Sequence, residues 1–531
     1  MNTMRELPIG IQDFEKLRKD NCLYVDKTQF VYRLARTSRP YFLARPRRFG
    51  KSLFLSTLKA FFEGKKELFE GLKIAELEKD WLQYPVIYID FNQESYADTN
   101  SLSAALDKNL RNAEEIWGRD ELDVTPAARL SSIIKFAYRK TGQRVVVLID
   151  EYDKPLISSI NNLDLNEDMR TMLKGFYGVL KSEDAKLRFV FLTGVTKFSK
   201  VSIFSDLNQP TDISLDKQFA EICGISEAEL LQNFQPEIQA LAEENNLTCE
   251  QAFAELKKLY DGYHFAKVSA DIYNPFSVLK TFAKLDFAYY WFETGTPTFL
   301  AKALRNQNYD IRELEDGVLI DAVSIMDYQI ENKNLIPLLY QSGYLTIKEY
   351  KQNKNAFVLG FPNEEVKYGF LKELLPAFVL DPIQTGNFSV LKFLQQIEDS
   401  DIDGFMTSLK AFFAAIPYSA IKQEHRDEQY YQHVFYLLFT LIGEFIQTEV
   451  QNNKGRADAV VKTADSIYVF EFKMDNSLPC GEGRGGVAEA ALAQINSKDY
   501  AIPYTADHRK IVKIGVEFSQ TERGVKRWVI E

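Results

Sequence analysis

Four short, almost continuously apolar runs divide the first 215 residues of the chain, and helical patterns separate them. The runs are YFLA (41–44), PVIYIDF (85–91), RVVVLID (144–150) and LRFVFLTG (187–194). Such runs are typical of strands in a parallel sheet that is covered on both faces, because a strand with one solvated face alternates apolar and polar residues. Residues 1–215 are therefore predicted to form an α/β domain in which strands and helices alternate.

The rest of the chain indicates three further regions. Residues 216–300 are predicted to form a helical subdomain, in which Ser226 and Glu229 have the spacing of a capping box. Residues 301–384 mix helices with two strand-like runs, 340–348 and 357–363, and a helix followed by a two-stranded hairpin leaves open a winged-helix-like module. A linker at 381–387 (DPIQTGN) leads into the last domain, 385–531.

Composition and charge restrict the functions that the whole chain can have. The 64 basic and 75 acidic residues give a net charge of −11, so contact with nucleic acid must use a local basic surface. The four cysteines form no CxxC pair, which excludes a zinc finger or disulfide framework. The chain has no run of 18 apolar residues and no apolar signal segment at its start, so we expect a cytoplasmic protein without a membrane partner.

The first candidate site follows the run at 41–44. Residues 45–52, RPRRFGKS, match the pattern GxxxxGK[ST] except at Arg45, which replaces the first glycine. In this pattern backbone N–H groups at a strand-to-helix turn face the phosphates of a nucleotide, the lysine reaches the β- and γ-phosphates and the hydroxyl binds Mg²⁺. The expected ATP-binding residues are Arg48, Phe49, Gly50, Lys51 and Ser52, with Ser52 also a ligand of Mg²⁺.

The second half of this candidate site ends the run at 144–150. Asp150 is expected to bind Mg²⁺ with its hydration shell, and Glu151 to polarise the attacking water. Thr193, at the end of the last run, is either a sensor of the γ-phosphate or a turn former. A basic loop and an unrelated strand end are the alternative interpretation, but the two halves occur in the expected order and each follows a predicted strand. The sequence thus predicts ATP binding with Mg²⁺, and hydrolysis as a further expectation.

The second candidate site is a cluster of two carboxylates and a lysine near the C-terminus. Asp458 lies in a predicted strand that opens at 455, and Glu471 and Lys473 share one face of the next strand, 467–473. Two carboxylates can hold a hard cation such as Mg²⁺ or Mn²⁺, and the lysine can orient water and offset charge on a scissile phosphate. The alternative is a surface hairpin with a cross-strand ion pair.

Motifs along most of the chain resemble those of one bacterial family, the AAA-ATPase-like proteins that carry a PD-(D/E)XK nuclease domain at the C-terminus. The motifs are LPIGIQDFEKLR (7–18), YVDKT (24–28), RPRRFGKS (45–52), LIDEYDKP (148–155), LTGVTKFSKVSIFSDLNQPTDIS (192–214), YDGYHF (260–265), YNPFSV (273–278) and TGTP (294–297). The resemblance implies a P-loop ATPase fold and a C-terminal αβββαβ nuclease-like domain, and the family usually lacks the first glycine of the loop. It also fits the positions of Gln494 and Tyr500 in the helix that follows the glutamate–lysine strand.

The same C-terminal domain contains two further candidate metal ligands and one loop that matches a dinucleotide-binding pattern by chance. Glu449, at the end of the first strand, is a candidate ligand. His433 is a second candidate because related nucleases use a histidine from the preceding helix, although a hydrogen-bonded core histidine is an equal alternative. The loop GEGRGG (481–486) matches GxGxxG, but no acidic residue ends a strand about 20 residues later, as dinucleotide binding requires. We interpret it as a flexible loop in which Arg484 contacts substrate.

Three functions remain after these arguments. The leading hypothesis is an ATP-binding, ATP-hydrolysing protein coupled to a metal-dependent nuclease that acts on nucleic acid of unspecified type. The second is a nucleotide-dependent switch or scaffold whose nuclease fold binds without cleaving, and the third is an ATPase with a structural C-terminal domain. The intact Asp458, Glu471 and Lys473 favour the first, and assembly into an oligomer is left open.

Overall fold

The computed structural model describes most of the chain. The described residues are 6–92, 95–197, 210–294, 300, 303–304, 309, 311, 313–326, 334–379, 390–414, 431, 433–438, 445–451, 456–475, 486–519, 521–522 and 524–531. The chain divides into two compact units, Met1–Thr294 with Gly317–Val366, and Gly295–Asp316 with Lys367–Glu531. The bounds of the four domains predicted from the sequence stay predictions. The expected linker at 381–387 lies outside the described residues.

The strands of the described residues are numbered in chain order. They are β1 Pro40–Ala44, β2 Val86–Asp90, β3 Val145–Asp150, β4 Leu187–Gly194, β5 Thr211–Asp212, β6 Ile225–Ser226, β7 Ile272–Tyr273, β8 Val318–Asp321, β9 Thr346–Lys351, β10 Ala356–Gly360, β11 Phe445–Gln451, β12 Arg456–Lys462, β13 Ser466–Asp475, β14 Lys510–Ser519 and β15 Gly524–Ile530.

The helices are numbered in the same way, and helical residues 431 and 433–438 are described without complete bounds. They are α1 Phe14–Lys19, α2 Thr28–Ala35, α3 Lys51–Phe62, α4 Lys73–Leu77, α5 Thr99–Trp117, α6 Pro126–Thr141, α7 Lys154–Ser158, α8 Leu163–Ser182, α9 Glu227–Asn233, α10 Gln235–Glu244, α11 Cys249–Tyr260, α12 Pro275–Lys284, α13 Glu313–Asp316, α14 Ile336–Ser342, α15 Glu364–Val379, α16 Val390–Glu398, α17 Ile402–Ala414 and α18 Val487–Ser497. No helix among the described residues is long and apolar enough to cross a membrane.

The N-terminal sheet has the order β2-β3-β4-β1-β5, and all of its neighbouring strands are parallel. The four apolar runs predicted as strands become β1 to β4. Every residue of β3 is buried, as expected for a strand covered on both faces. Because the strands are parallel, the carboxyl ends of β1, β3 and β4 lie at the same edge of the sheet, where residues 45–50 follow β1 and Asp150 ends β3.

The middle of the chain is helical and then forms a small antiparallel sheet. Helices α9 to α12 occupy the predicted helical region, and the capping box of Ser226 and Glu229 begins α9 as predicted. After α14 come β9 and β10, the expected hairpin after a helix, with β8 as an additional third strand. The predicted strand at 340–348 is wrong at its start. Residues up to Ser342 are helical, and α14 ends at Gly343, whose φ of 91° suits a glycine.

The C-terminal sheet has the order β11-β12-β13-β14-β15. Its first three strands are antiparallel, β13 and β14 are parallel, and β15 is antiparallel to β14. The parallel pair requires a crossover, and α18 supplies it. With the helix at 433–438 before β11, this is the αβββαβ order that the resemblance implies, followed by one extra strand.

Candidate functional sites

The candidate phosphate-binding loop joins β1 to α3 through a glycine in the left-handed conformation. Gly50 caps α3 with φ 92°, and Lys51 is the first residue of the helix. An added Cβ on Gly50 would meet nothing within 4 Å, so the backbone angle alone makes glycine suitable there. The loop is therefore at the N-terminus of a 12-residue helix, where backbone N–H groups and the helix dipole favour anions.

Arg45, which replaces the first glycine of the pattern, is a buried anchor of this loop. Its guanidinium donates to the backbone oxygens of Ala44 at 2.9 Å, Ser214 at 2.7 Å and Phe219 at 3.0 Å. It also lies 4.2 Å from the ring centroid of Phe265. Burial lowers the pKa of Arg45. The residue thus fixes the start of the loop, and its charge faces backbone oxygens within the protein.

Lys51 is almost completely buried between the loop and Glu151. Its ammonium donates to the backbone oxygens of Arg45 at 3.1 Å and Pro46 at 3.2 Å, and lies 3.3 Å from Oε1 of Glu151. Glu151 has a positive φ of 50°, which is uncommon outside glycine and marks a strained residue at the end of β3. The predicted lysine and the predicted water-polarising glutamate therefore lie side by side.

Asp150 connects Ser52 to Thr193. Its Oδ1 accepts a hydrogen bond from the Thr193 hydroxyl at 2.7 Å. Burial and the neighbouring Glu151 raise the pKa of Asp150, whereas hydrogen bonds from Ser52 and Thr193 oppose that shift. The sequence left open whether Thr193 is a phosphate sensor or a turn former. In this structure its hydroxyl contacts the carboxylate of Asp150.

Asp153 is an important residue that the sequence argument missed. It is fully buried and accepts hydrogen bonds from the backbone nitrogens of Val195 at 3.0 Å and Thr196 at 2.6 Å, and from the Thr196 hydroxyl at 2.7 Å. Burial raises the pKa of Asp153 to about 6. A Cβ on Gly194 would be 2.5 Å from the carboxylate of Asp153, so this contact needs a glycine. The one feature of the sequence that marks Asp153 is its position as the second aspartate of the motif at 148–155.

A cleft of about 390 Å³ opens at the loop. Its lining combines the N-terminal segment, the loop, the end of β3 and the start of α12, and includes Gly10, Arg47, Lys51, Asn92, Glu151 and Lys154. An apolar pocket of about 90 Å³ adjoins it and shares Gly50 and Leu53 with it. Two of the family motifs, at 7–18 and 273–278, thus contribute to one cleft.

The side chains of two predicted loop residues, Phe49 and Arg48, pack against aromatic rings, and Arg48 and its partner Phe276 both line the cleft. The Phe49 ring is buried against Tyr263, with ring centroids 4.8 Å apart, so Phe49 can offer a phosphate only its backbone N–H. The guanidinium of Arg48 lies 4.5 Å from the ring centroid of Phe276 in α12. Arg48 has φ 71° and is exposed.

In the C-terminal unit, Asp458 and Glu471 lie across from each other where the ladder between β12 and β13 ends. The antiparallel ladder of β12 and β13 reaches Ala459 and Phe470, so Asp458 and Glu471 are the next residues across from each other. Oδ2 of Asp458 accepts a hydrogen bond from the backbone nitrogen of Phe472 at 2.7 Å. Glu471 is 3% exposed, which is incompatible with the alternative of a solvated surface hairpin.

The two faces of β13 pack against different helices, as the period-two pattern predicts. Phe470 and Phe472 contact Phe435 in the preceding helix, with ring centroids 5.1 and 4.5 Å apart. On the opposite face Val469 packs with Ile495 of α18, and Gln494 of that helix donates to Oε1 of Glu471. Glu471 therefore shares a face with the core under α18.

A close contact between α18 and β14 supports this position of Gln494. Gly515 pairs with Glu471 in the parallel ladder. An added Cβ there would lie 2.3 Å from the backbone oxygen of Ala488 and 2.6 Å from the backbone nitrogen of Leu492. The Gln494 amide is also 3.4 Å from the Tyr500 hydroxyl, so the two residues noted from the sequence meet beside Glu471.

Lys473 follows on β13 and is half-buried. It pairs with Glu517 of β14, whose carboxylate lies 2.7 Å from the ammonium of Lys526. Lys526 also lies 2.6 Å from Asp475, and both acidic partners raise its pKa. The members of this ion-pair network are far apart along the chain, so their contact was not predictable from the sequence.

The two additional metal candidates have different outcomes. Glu449 lies in β11, and its neighbours Thr448 and Val450 pair with Ala459 and Ala457, but its side chain lies outside the described residues. His433 is fully buried in the helix before β11. Within the described ranges, no group of three or more His, Cys, Asp or Glu side chains is arranged to hold a metal ion.

Residues 476–485, with Arg484 and most of the glycine-rich loop, also lie outside the description.

Comparisons with known proteins agree with both halves of the chain. A family model described as "Predicted AAA-ATPase" matches residues 8–204, and one described as "PD-(D/E)XK nuclease superfamily" matches residues 426–528. A protein of Azotobacter chroococcum mcd 1, described as "Uncharacterized protein in vnfD 5'region", is 36% identical over 537 residues, and the match covers 99% of each chain. The first matched range contains the residues from Arg45 to Thr193, and the second contains those from His433 to Lys473.

Proposed function

Because this chain belongs to the family that joins an AAA-ATPase-like domain to a PD-(D/E)XK nuclease superfamily domain, we propose that it binds and hydrolyses ATP and, in its C-terminal domain, cleaves nucleic acid phosphodiester bonds with a divalent metal. The observation that carries the proposal is that residues distant in sequence converge twice. Lys51 and Ser52 meet Glu151 and Asp150 in one unit, and Asp458 meets Glu471 in the other.

For ATP, the loop at 45–52 offers backbone N–H groups at a helix N-terminus, and Lys51 supplies a cation. Its ammonium now contacts two backbone oxygens and Glu151, and we propose that it exchanges these partners for the β- and γ-phosphates. The adjoining apolar pocket is suited to the nucleobase.

Mg²⁺ fits the donors at this place, because hard dications prefer oxygen ligands and the Ser52 hydroxyl and Asp150 carboxylate are hydrogen-bonded to each other. When bound, the ion offsets charge on the phosphates. Glu151 lies beside Lys51 in the cleft, and we propose that it orients the attacking water and accepts its proton.

For nucleic acid, Asp458 and Glu471 are proposed as ligands of Mg²⁺ or Mn²⁺, with Glu449 and His433 as further candidates. Two adjacent carboxylates, one of them buried, suit a hard cation. When bound, the metal polarises the scissile phosphate and activates water. Gln494 holds one oxygen of Glu471, and Lys473 orients the water and stabilises the developing negative charge.

The nuclease half is tested on labelled single-stranded and double-stranded DNA and RNA, with Mg²⁺ or Mn²⁺ and with or without ATP. We expect Asp458→Ala and Lys473→Ala to lower the cleavage rate at least about 100-fold, because each removes charge stabilisation at the scissile phosphate. The matched controls are Asp465→Ala and Lys510→Ala, which remove exposed charges from the same sheet region. Cleavage that is equal in the wild type and the two site variants would show that another enzyme is responsible.

The ATP half is tested by titration of the protein with ATP and Mg²⁺ in a calorimeter. Lys51→Ala should abolish measurable binding, whereas Lys59→Ala, which removes a partly exposed lysine from the same helix, should not. Glu151→Gln should retain binding and lose hydrolysis, because it keeps the size of the side chain but cannot accept a proton. Binding that survives Lys51→Ala would exclude the loop as the ATP site.

A further inference from the structure

Two consecutive arginines of the phosphate-binding loop have different environments. The guanidinium of Arg48 lies over the Phe276 ring at 4.5 Å. Arg47 is exposed and lines the cleft. Its backbone oxygen accepts a hydrogen bond from the indole of Trp291 at 3.5 Å, which restrains the backbone while the side chain stays solvated. Within the described part of the chain, the Arg47 guanidinium makes no hydrogen bond or ion pair.

The other cations of the cleft are already engaged. Lys51 contacts two backbone oxygens and Glu151. Lys154 donates to the backbone and side-chain oxygens of Asn92 at 2.9 and 2.5 Å. Arg47 is therefore the cation of the cleft that can turn toward a ligand without breaking an internal hydrogen bond or leaving an aromatic ring.

The lining of the cleft also indicates which part of a nucleotide Arg47 would meet. The adjoining apolar pocket contains Phe49, Gly50 and Leu53 but neither Arg47 nor Glu151. Arg47 lines the charged cleft together with Glu151 and Lys154, and its charge acts on Lys154. If the base occupies the apolar pocket, the triphosphate extends toward the charged end, where Arg47 and Glu151 lie together.

We propose that Arg47 contacts the terminal phosphate of the bound nucleoside triphosphate and stabilises the charge of the transition state for hydrolysis, within the same chain that carries Lys51. In this step the oxygen of water forms a bond to the γ-phosphorus, and the bond to the β,γ-bridging oxygen breaks. The bridging oxygen keeps the electron pair and leaves with ADP, and the proton of the water passes to Glu151. Many phosphate-transferring enzymes receive this arginine from a second molecule. The inference rests on the proposed function and adds that the site is complete in one chain.

The experiment compares the wild type with Arg47→Ala, Arg47→Lys and the control Arg39→Ala, which removes an exposed arginine ahead of β1. Steady-state hydrolysis of ATP and equilibrium binding of ATP and ADP are measured for each full-length protein. We expect Arg47→Ala to lower kcat by about 1,000-fold, as loss of such an arginine does in other enzymes. Arg47→Lys should recover part of kcat. ADP binding should stay within about twofold of the wild type in all variants, because ADP lacks the phosphate that Arg47 contacts.

A mixing experiment distinguishes action within one chain from action on a neighbour. Arg47→Ala chains mixed with Lys51→Ala chains should show no recovered hydrolysis, since each chain lacks one half of its own site. Recovered activity would overturn the inference, as would a kcat within threefold of the wild type for Arg47→Ala or equal losses of ATP and ADP affinity. A wild type that binds no ATP would overturn the proposed function and the inference together, whereas an active Arg47→Ala variant would overturn the inference alone.

Discussion

At the residue scale, several polar side chains have structural tasks that their motifs do not reveal. Arg45 occupies a glycine position of the loop pattern, yet it is buried and donates to three backbone oxygens. Asp153 holds two backbone nitrogens after β4. Such groups remain buried because their hydrogen bonds replace those to water. In both cases the contacts fix the loops around the proposed nucleotide site.

The buried carboxyl group of Asp261 should make the free energy of unfolding depend on pH. Asp261 is 2% exposed, and burial raises its pKa from 3.8 to about 7. The charges of Asp271 and Glu227 raise this pKa as well, whereas a hydrogen bond from the Gly262 backbone and the charge of Lys257 lower it. Between these two values the folded protein binds more protons at this group than the unfolded chain does. The stability that protonated Asp261 contributes is therefore fully present at low pH. It is lost as the pH rises to about 7, by up to about 1.4 kcal/mol per pH unit.

The test is Asp261→Asn, which keeps the shape and removes the ionisation. Relative to the wild type, we expect the thermal midpoint of the variant to rise between about pH 4 and about pH 7 and to level off above that. The two proteins should be closest at the acidic end. Parallel pH profiles would contradict the prediction, because they would mean that the buried carboxyl does not titrate in this range.

At the element scale, the sequence predicted the regular strands well and the contacts between elements poorly. The four apolar runs became β1 to β4 because a fully buried parallel strand has a distinctive composition. The strand β8 was missed, since it is only four residues long and Ile320 is the one buried residue among them. The roles of Asp153 and of the Lys526 network could not be read from sequence, because both depend on partners brought together by tertiary packing.

The glycine at the end of β4 provides a prediction at this scale. Gly194→Ala would place a methyl group 2.5 Å from the Asp153 carboxylate and 2.7 Å from the ring of Tyr152. We expect a loss of about 1–3 kcal/mol in the free energy of unfolding and weaker ATP binding, because the segment that follows β4 must shift. Calorimetric unfolding and ATP titration measure the two effects.

The matched control is Gly175→Ala in the middle of α8, where an added Cβ meets nothing within 4 Å. Alanine is the better helix former, so this variant should gain about 0.5–1 kcal/mol. If Gly194→Ala were as stable as Gly175→Ala, the close packing of β4 against Asp153 would not be important for the fold.

At the scale of the whole molecule, the two candidate sites belong to different compact units with separate cores. One core joins residues of α9 to α12, such as Leu230 and Phe282, and the other joins β13 to α18 through Val469 and Ile495. The pairing of an α/β ATPase-like fold with an αβββαβ domain was predictable from motif order.

Because the two units have separate cores, we expect a ligand of one unit to stabilise that unit alone against unfolding. In calorimetry, ATP with Mg²⁺ should raise the unfolding midpoint of one transition, by the equivalent of about 2.7 kcal/mol when ATP is at 100 times its Kd, and leave the other unchanged. Lys51→Ala should remove that shift. A single transition that shifts as a whole would instead mean that the two units unfold cooperatively.

The contact at Gly515 has a consequence for how the C-terminal domain can change without visible damage to its motif. Since α18 lies directly on the backbone of β14, no side chain fits between the helix and the strand at Gly515. A single methyl group would lift the helix and carry the Gln494 amide away from Glu471, while Asp458, Glu471 and Lys473 remained in place. By the proposed function, a homologue with all three acidic and basic residues but a larger residue at this position should cleave nucleic acid poorly, and the first inactivating step in such a lineage need not touch a charged side chain.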